Sequence, residues 1–441
     1  MMHAEHITDL IGQTPVLKIK ENIHGIPGFE LYAKLELFNP FGSLKDRISW
    51  SMLEDEIQEI VQKGQVIVES SSGNTAKALA ALAGSYGVKF KTVSNRIKVP
   101  EVKQILQLMG AEVEELPGLS ECPDPNDPND PLAYIETMMR QDEGKYFHTS
   151  QYTNPKNPQV HFETTGPEIE KDLGQVDFLF GGVGTSGSTL GTANYLRQKN
   201  QNFRSIGIIA EKGDFIPGIR NQDELLELGI FQRSSYEELI TVDVKTAIEY
   251  SLELIRKMGL LAGPTSGAAL AGAIAYLKQL PAESLQGKKG VFIACDRAEW
   301  YLSYYKKRRP ELFEKKTHTA GLSILTELEI LAAETLTPQE SKNLLEKEKV
   351  LLVDIRGNLG FSANHIAGSI NIPDFQLEEM LQVGIPFSAG QKILLVCSVG
   401  EQSKKFVAFL GKKGFDAKTI EGGILAWRDE GLPLQRNLSL S

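Results

Sequence analysis

Four short stretches of the 441-residue chain carry residue types that can do covalent or anion-binding chemistry. In NPFGSLKDRIS (39–49), Lys45 stands just past a Gly-Ser pair and directly before Asp46 and Arg47. A lysine amine is chemically useful only where it can be neutral and aimed at a carbonyl; elsewhere it is a solvated charge. The chain holds 47 Lys and Arg together, so Lys45 needs the other parts of a site around it. In ESSSGNTAKALA (69–80), Ser71, Ser72, Asn74 and Thr75 crowd around Gly73 where a strand pattern gives way to a helix pattern. The free N–H groups and dipole of a helix start suit a carboxylate or phosphate, whereas a plain helix cap needs one such residue and not four. In GGVGTSGSTLG (181–191), glycines 182, 184 and 187 let the backbone approach a ligand, and Thr185, Ser186 and Ser188 add hydroxyls. This is a phosphate cradle without a P-loop lysine or a dinucleotide fingerprint, and taken alone it reads equally well as a tight turn. In KILLVCSVGEQSKKFVAFL (392–410), an apolar run ends at Cys397, followed by a glycine-containing loop and a helix pattern. That geometry aims backbone N–H groups at the sulfur and stabilises a thiolate or persulfide; a small buried core cysteine is the alternative reading.

The elements that must position these residues alternate along the chain. Apolar runs at 65–70, 176–182, 203–211 and 289–295 read as strands, and 74–87 and 189–200 as helices. Strand-loop-helix repetition predicts an α/β architecture with mainly parallel sheet, and continuous apolar strands predict sheets covered on both faces. The Pro-, Asp- and Asn-rich run at 121–131 reads as a surface loop. A charged stretch broken by proline (304–321) reads as the end of the first unit and the start of a linker; its basic run is taken as a solvated helix end and not as a nucleic-acid contact. A second, shorter α/β pattern follows, with strands at 350–356 and 392–397. The expected domains are 1–310, a linker at 311–334, and 335–441.

Composition narrows the function classes. The chain is 41% hydrophobic and 24% charged, with a net charge of -10, which argues against a general nucleic-acid binder. No apolar run suggests a membrane span, and the N-terminal residues do not resemble a secretion signal. Three cysteines (Cys122, Cys295 and Cys397) at wide spacing suit neither a disulfide framework nor a metal site, so a reducing cytoplasm is the expected location.

Taken together, ITDLIGQTPVLKI, YAKLELFNPFGSLKDR, SSSGNTA, QYTNPKNPQVHFETTGPEI, GGVGTSGS and GLLAGPTSGAAL resemble, in order, the landmarks of the cysteine synthase family of fold-type II pyridoxal-phosphate enzymes. DFIPGIRNQDE and ACDRAEWYLS look more like the B type of cysteine synthase than the A type. The resemblance implies a two-lobed α/β fold like that of the tryptophan synthase β subunit, with pyridoxal 5'-phosphate as cofactor. It implies that Lys45 carries the cofactor as a Schiff base, that Asn74 bonds its 3'-oxygen, and that Gly184, Thr185, Ser186, Gly187 and Ser188 bind its phosphate. Cys295 would face the pyridine nitrogen, or else be a small core residue. Ser71, Ser72, Thr75 and Gln151 would grip the substrate's α-carboxylate. Arg220 matches a segment that reads a phosphorylated serine in some relatives, and it is equally readable as a salt-bridge residue. The implied reaction is β-replacement on O-acetylserine or O-phosphoserine through an α-aminoacrylate, with Lys45 as general base. Replacement by an amine, or lyase or desulfhydrase action on cysteine, uses the same parts. Small-molecule substrates and a homodimer are implied, without nucleic acid, membrane or metal.

VLLVDIRG, HIAGSINIP and EGGILAW, around the Cys397 loop, resemble the rhodanese family over about 335–436. The resemblance gives Cys397 the sulfur-carrying role and makes Asp354 and Arg356 structural. The loop from Cys397 to Ser403 contains Glu401 and no arginine, which favours a small persulfide or a persulfide donor protein over thiosulfate. The expected whole is an α/β enzyme followed by a small α/β sulfurtransferase module.

Overall fold

The computed structural model describes residues 3–95, 97–117, 130–225, 229–313, 322 and 325–436. Cys122 and nearly all of the run 121–131 lie outside them, as does part of 311–334. The chain divides into two compact units, Met1–Pro310 and Glu311–Ser441.

The first unit holds two sheets. One has the order β1 (Val16–Lys18), β2 (Glu30–Leu35), β10 (Lys289–Ala294), β7 (Phe178–Gly182), β8 (Arg204–Ala210), β9 (Glu238–Val242). Only the β1–β2 pair is antiparallel. The other is fully parallel, in the order β5 (Glu112–Glu115), β4 (Phe90–Ser94), β3 (Val66–Ser70), β6 (Tyr146–His148). Central strands are buried throughout their apolar runs, as in Val291, Phe292, Ile293 and Ala294, because helices cover both faces. Two of these helices lie deep because they are built from small residues. Asn74–Ser85 and Pro264–Leu277 are rich in Ala and Gly, and nearly every residue of the latter is buried. Gly267 shows why: a Cβ there would run into the backbone of Ala247 and Ser251 on the neighbouring helix Val244–Met258. Close helix packing of this kind forbids larger side chains.

In parallel sheets, ligands sit in the crevice beyond the carboxyl ends of the strands. Three such ends matter here. β3 runs into Ser71–Gly73 and the helix Asn74–Ser85; β7 runs into 183–186 and the helix Gly187–Lys199; β10 runs directly into Cys295.

The second unit is a five-stranded parallel sheet in the order β11 (Thr335–Leu336), β15 (Ala417–Ile420), β14 (Ile393–Val396), β12 (Leu351–Asp354), β13 (Ile370–Asn371). A 3-10 turn at Pro310–Leu312 leads into the stretch 311–334, and a helix at Glu327–Leu331 lies within it. The helix opens on a capping box between Thr326 and Glu329 and packs on the helix Glu401–Lys412. The observed architecture is the α/β pairing expected from the sequence.

Candidate active site and sulfur-carrying loop

Lys45 opens the helix Lys45–Leu53 and is half-buried. Its Nζ lies 3.5 Å from the Thr185 hydroxyl, so the amine faces the glycine loop after β7. Burial pushes the amine down from its ordinary value to about 8, against the opposing pull of Cys295, Asp296 and Glu69. A lysine so placed is partly neutral near neutral pH, which a solvated lysine is not.

The loop around 184–188 is held tightly by its neighbours and leaves one hydroxyl unpartnered. Ser186 is left-handed at φ 71°, and its buried Oγ has no hydrogen-bond partner. A Cβ on Gly184 would meet the carbonyl of Gly218, and one on Gly187 would meet the Asn157 side chain. Asn157 braces the loop by donating from Nδ2 to the Gln151 carbonyl (2.7 Å) and the Thr185 hydroxyl (3.1 Å). Thr189, buried one turn into the helix, donates to the Ser186 carbonyl at 3.0 Å. Ser188 stands half-buried in the first turn of that helix.

After β3, the Ser71 hydroxyl accepts from the Ala76 N–H (3.2 Å), and Ser72 is half-buried with Gly73 and Asn74. Thr75 donates to Gln151 Oε1 at 2.8 Å, joining this loop to the one after β6. Beneath both lies Glu69, fully buried. Its carboxylate accepts from the Thr149 hydroxyl (2.5 Å) and from the N–H groups of Gln151 (3.1 Å) and Ser70 (2.8 Å). Asn74 donates from Nδ2 to Asp296 Oδ2 at 2.6 Å and lies 3.2 Å from the Tyr301 hydroxyl, which itself donates to Asp296 Oδ2 at 2.5 Å. Cys295 is buried, its N–H donating to Ser266 Oγ at 2.9 Å, and burial pushes its thiol well up. Arg220 is mostly buried. It lies 3.4 Å from Glu224 and 3.5 Å from the Tyr152 hydroxyl, so its guanidinium is engaged.

Motif reading alone misses several residues. Asn157 and Thr189 stand in or beside quoted motifs, yet their bracing needs three dimensions to be seen. Asp296 follows Cys295 directly, but nothing in its spacing points to Asn74, 222 positions earlier.

A family profile described as pyridoxal-phosphate dependent enzyme matches residues 7–296. The chain belongs to this family. A cysteine synthase of Aquifex aeolicus is 32% identical over 309 residues, 68% of this chain and 91% of its own. Cysteine synthase B of Salmonella typhimurium is 34% identical over 298 residues, 66% of this chain and 93% of its own. Among solved structures, the enzyme is similar to a hydrogen sulfide-producing enzyme from Fusobacterium nucleatum, with a TM-score of 0.60 and 32% identity over 68% of this chain and 99% of that one. As a member of this family the chain is a pyridoxal-phosphate enzyme, and its residues fit that group. The orphaned Ser186 hydroxyl, the Cβ-free approach at Gly184 and Gly187, and the depressed amine of Lys45 meet in one place. From the Lys45 value, recombination of cofactor-free enzyme with pyridoxal phosphate is expected to speed up about tenfold between pH 7 and pH 9, because the neutral amine is the reacting form. Stopped-flow absorbance measures it, and a flat profile would refute the placement.

A second profile, rhodanese-like domain, matches residues 337–430. There Cys397 follows β14 and is buried. Its Sγ accepts the Gly400 N–H at 3.1 Å, and the Ser403 hydroxyl lies 3.3 Å away. Gly400, at φ 90°, starts the helix Glu401–Lys412. The glycine pair at 422–423 lies against the loop: the Ile424 N–H donates to the Cys397 carbonyl (2.9 Å), and a Cβ on Gly423 would strike that carbonyl. Glu401 pairs with Lys404 at 3.3 Å. Arg356 is committed to Asp354 (2.6 Å) and to the Asn364 carbonyl (2.6 Å), a buried clamp within the fold. Among the described residues no helix is long and apolar enough to cross a membrane.

Proposed function

We propose that the first unit catalyses β-replacement on an O-acylated serine and that Cys397 of the second unit carries sulfane sulfur. The observation that supports the first half most is the Lys45 amine, held partly neutral beside the Thr185 hydroxyl at a glycine cradle. Bound pyridoxal phosphate supplies an electron sink for charge developing on the substrate's α-carbon. The chain's own groups do the rest. Lys45 anchors the cofactor and, once released, moves the α-proton. Asn74 and the 184–188 loop would hold the cofactor's ring and phosphate, and Cys295 would face its ring nitrogen. The α-carboxylate is held by Ser71, Ser72, Thr75 and Gln151, at a helix start that favours negative charge.

An uncharged acyl ester fits better than a phosphate ester, because Arg220 is engaged by Glu224 and Tyr152. In the second unit, the Cys397 thiolate would attack the outer sulfur of a persulfide R–S–SH. Cys397 then carries the persulfide and RSH departs. Glu401 and the arginine-free loop disfavour dianionic thiosulfate.

A second reading is supported by the similarity to a hydrogen sulfide-producing enzyme: cysteine is cleaved in the first unit and its sulfur leaves as sulfide. One set of mixtures separates them. The holoenzyme is given O-acetylserine, O-phosphoserine or cysteine, each with sulfide or ammonia absent or present, while the cofactor's visible absorbance and the products are followed. The first reading expects a spectral change with O-acetylserine and cysteine formation with sulfide. Sulfide release from cysteine, with no response to either ester, would replace it by the second. Cys397→Ser is expected to abolish sulfur transfer from a persulfide while leaving turnover with free sulfide within about twofold; equal loss of both would remove the carrier role.

A further inference from the structure

Ser403 and Thr419 form a buried hydroxyl pair beside the Cys397 sulfur. Ser403 lies in the first turn of the helix Glu401–Lys412 and Thr419 on β15, and both are fully buried. Sheet register sets Thr419 beside Leu395 of β14, two residues before Cys397. The two hydroxyl oxygens are 2.6 Å apart. Further acceptors stand around them: Cys397 Sγ at 3.3 Å and the Gly400 carbonyl at 3.1 Å from the Ser403 oxygen, and the Leu395 carbonyl at 3.1 Å from that of Thr419.

Each hydroxyl has one proton to give and lone pairs to accept with. At this separation one of the two protons has to lie between the oxygens, or bare lone pairs would face each other in the interior. Two arrangements remain. If Ser403 donates to Thr419, Thr419 donates to the Leu395 carbonyl and the sulfur receives no hydroxyl proton. If Thr419 donates to Ser403, the Ser403 proton is free for Cys397 Sγ, and the Leu395 carbonyl loses that bond. Charge on the sulfur selects between them. A thiol sulfur is a weak acceptor, whereas a charged acceptor forms a bond about twice as strong as a neutral one. A serine that merely returns its proton to a carbonyl one turn back accounts for the Gly400 contact and leaves the Thr419 and Cys397 contacts unexplained.

We propose that Ser403 is a catalytic residue of the sulfur-carrying loop: its hydroxyl turns to the Cys397 thiolate, which also accepts the Gly400 N–H at 3.1 Å, and turns to Thr419 when that sulfur is neutral. The proposal rests on the reading of Cys397 as the sulfur carrier. In charging, the Cys397 thiolate attacks the outer sulfur of R–S–SH and the R–S–S bond breaks. RS⁻ leaves with the electron pair and takes a proton from solvent. Sγ, now bonded to sulfur, is neutral, and Ser403 turns to Thr419. In discharge an acceptor thiolate takes the outer sulfur, Cys397 departs as a thiolate, and Ser403 turns back.

The test follows the rate at which iodoacetamide alkylates Cys397 in the full chain against pH. The Cys397 peptide is read by mass spectrometry, so that Cys122 and Cys295 do not interfere. In Ser403→Ala the thiolate loses its hydroxyl donor, and the midpoint of the profile is expected about one pH unit above that of wild type. Thr419 keeps the Leu395 carbonyl in that variant, so no buried donor is stranded and the fold is expected to hold. Thr419→Val removes a hydroxyl from the same cluster but leaves Ser403 its proton for the sulfur. Only the polarising effect of Thr419 on Ser403 is lost, so the midpoint is expected to move by less than about 0.3 unit. A shared structural defect would move both variants alike. An unmoved midpoint in Ser403→Ala, or equal shifts in the two variants, overturns the proposal. Treatment with cysteine persulfide keeps the two readings apart. A wild-type Cys397 peptide one sulfur heavier, with an unmoved midpoint in Ser403→Ala, sinks only the role of Ser403, whereas no added sulfur on wild-type Cys397 sinks the carrier reading.

Discussion

Lys45→Ala is expected to reduce turnover with any amino-acid substrate by at least about a thousandfold. The covalent anchor and the proton carrier are proposed to be the same amine, so one truncation removes both. The loss should be selective. Apart from the 3.5 Å contact of Lys45 with Thr185, the 184–188 loop, Asn157 and the Asp296–Asn74–Tyr301 cluster make their hydrogen bonds without the Lys45 side chain, so pyridoxal phosphate should still bind, though without a covalent link. Dialysis, absorbance spectra and steady-state rates measure the effect together. Retention of turnover within tenfold of wild type would contradict it.

Arg47→Met should give the largest loss of stability. Arg47 is two residues beyond Lys45 on the same helix and is almost fully buried. Its guanidinium grips Glu36 through Nε (2.7 Å) and Nη2 (2.8 Å), and Glu168 through Nη1 and Nη2 (2.7 Å each). Lys34 also reaches Glu168, at 2.7 Å, whereas Glu36 bonds Thr14 and Asn39 and, among the described residues, pairs with no cation but Arg47. Arg47 holds the Glu36 carboxyl down to about 2, against the burial that would raise it. Breaking a buried pair on one side costs about 3–5 kcal/mol, because the remaining charge is stranded. The sign of the pH effect tests the cause. In wild type the depressed Glu36 value contributes stability that is present above the unfolded carboxyl's ordinary value of 4.5 and is lost as pH falls toward about 2. In the variant Glu36 is stranded and takes up a proton more readily, so the stability gap to wild type should narrow as pH falls from 7 toward 5. Denaturant unfolding of the first unit's transition measures this; a gap below about 1 kcal/mol, or one that does not change with pH, would contradict it.

The parts of the site that were legible in the sequence are those where chemistry is contiguous. Lys45, the 71–75 run, the 184–188 loop and Cys397 each sit at a junction between strand and helix, where apolar periodicity breaks and small polar residues gather. Such junctions are visible because the backbone there must expose N–H groups, and only a few residue types allow it. What stayed hidden acts across distance. Arg47 ties Glu36 to Glu168, which lies 121 positions beyond Arg47 itself, and Asp296 holds Asn74 across 222. Lys77 reads as one more polar position in a helix until that helix is packed and the amine is found buried. Arg220 shows the opposite limit. Its motif supports either a phosphate contact or a salt bridge, and only the positions of Glu224 and Tyr152 weigh one against the other.

The most direct test is chemical. Holoenzyme reduced with borohydride, digested and mapped by mass spectrometry is expected to carry the pyridoxyl group on Lys45, beside the loop 184–188. The modification on Lys77, the other lysine whose buried amine is brought down to about 8, or on any lysine but Lys45, would contradict the proposed site and the chemistry built on it.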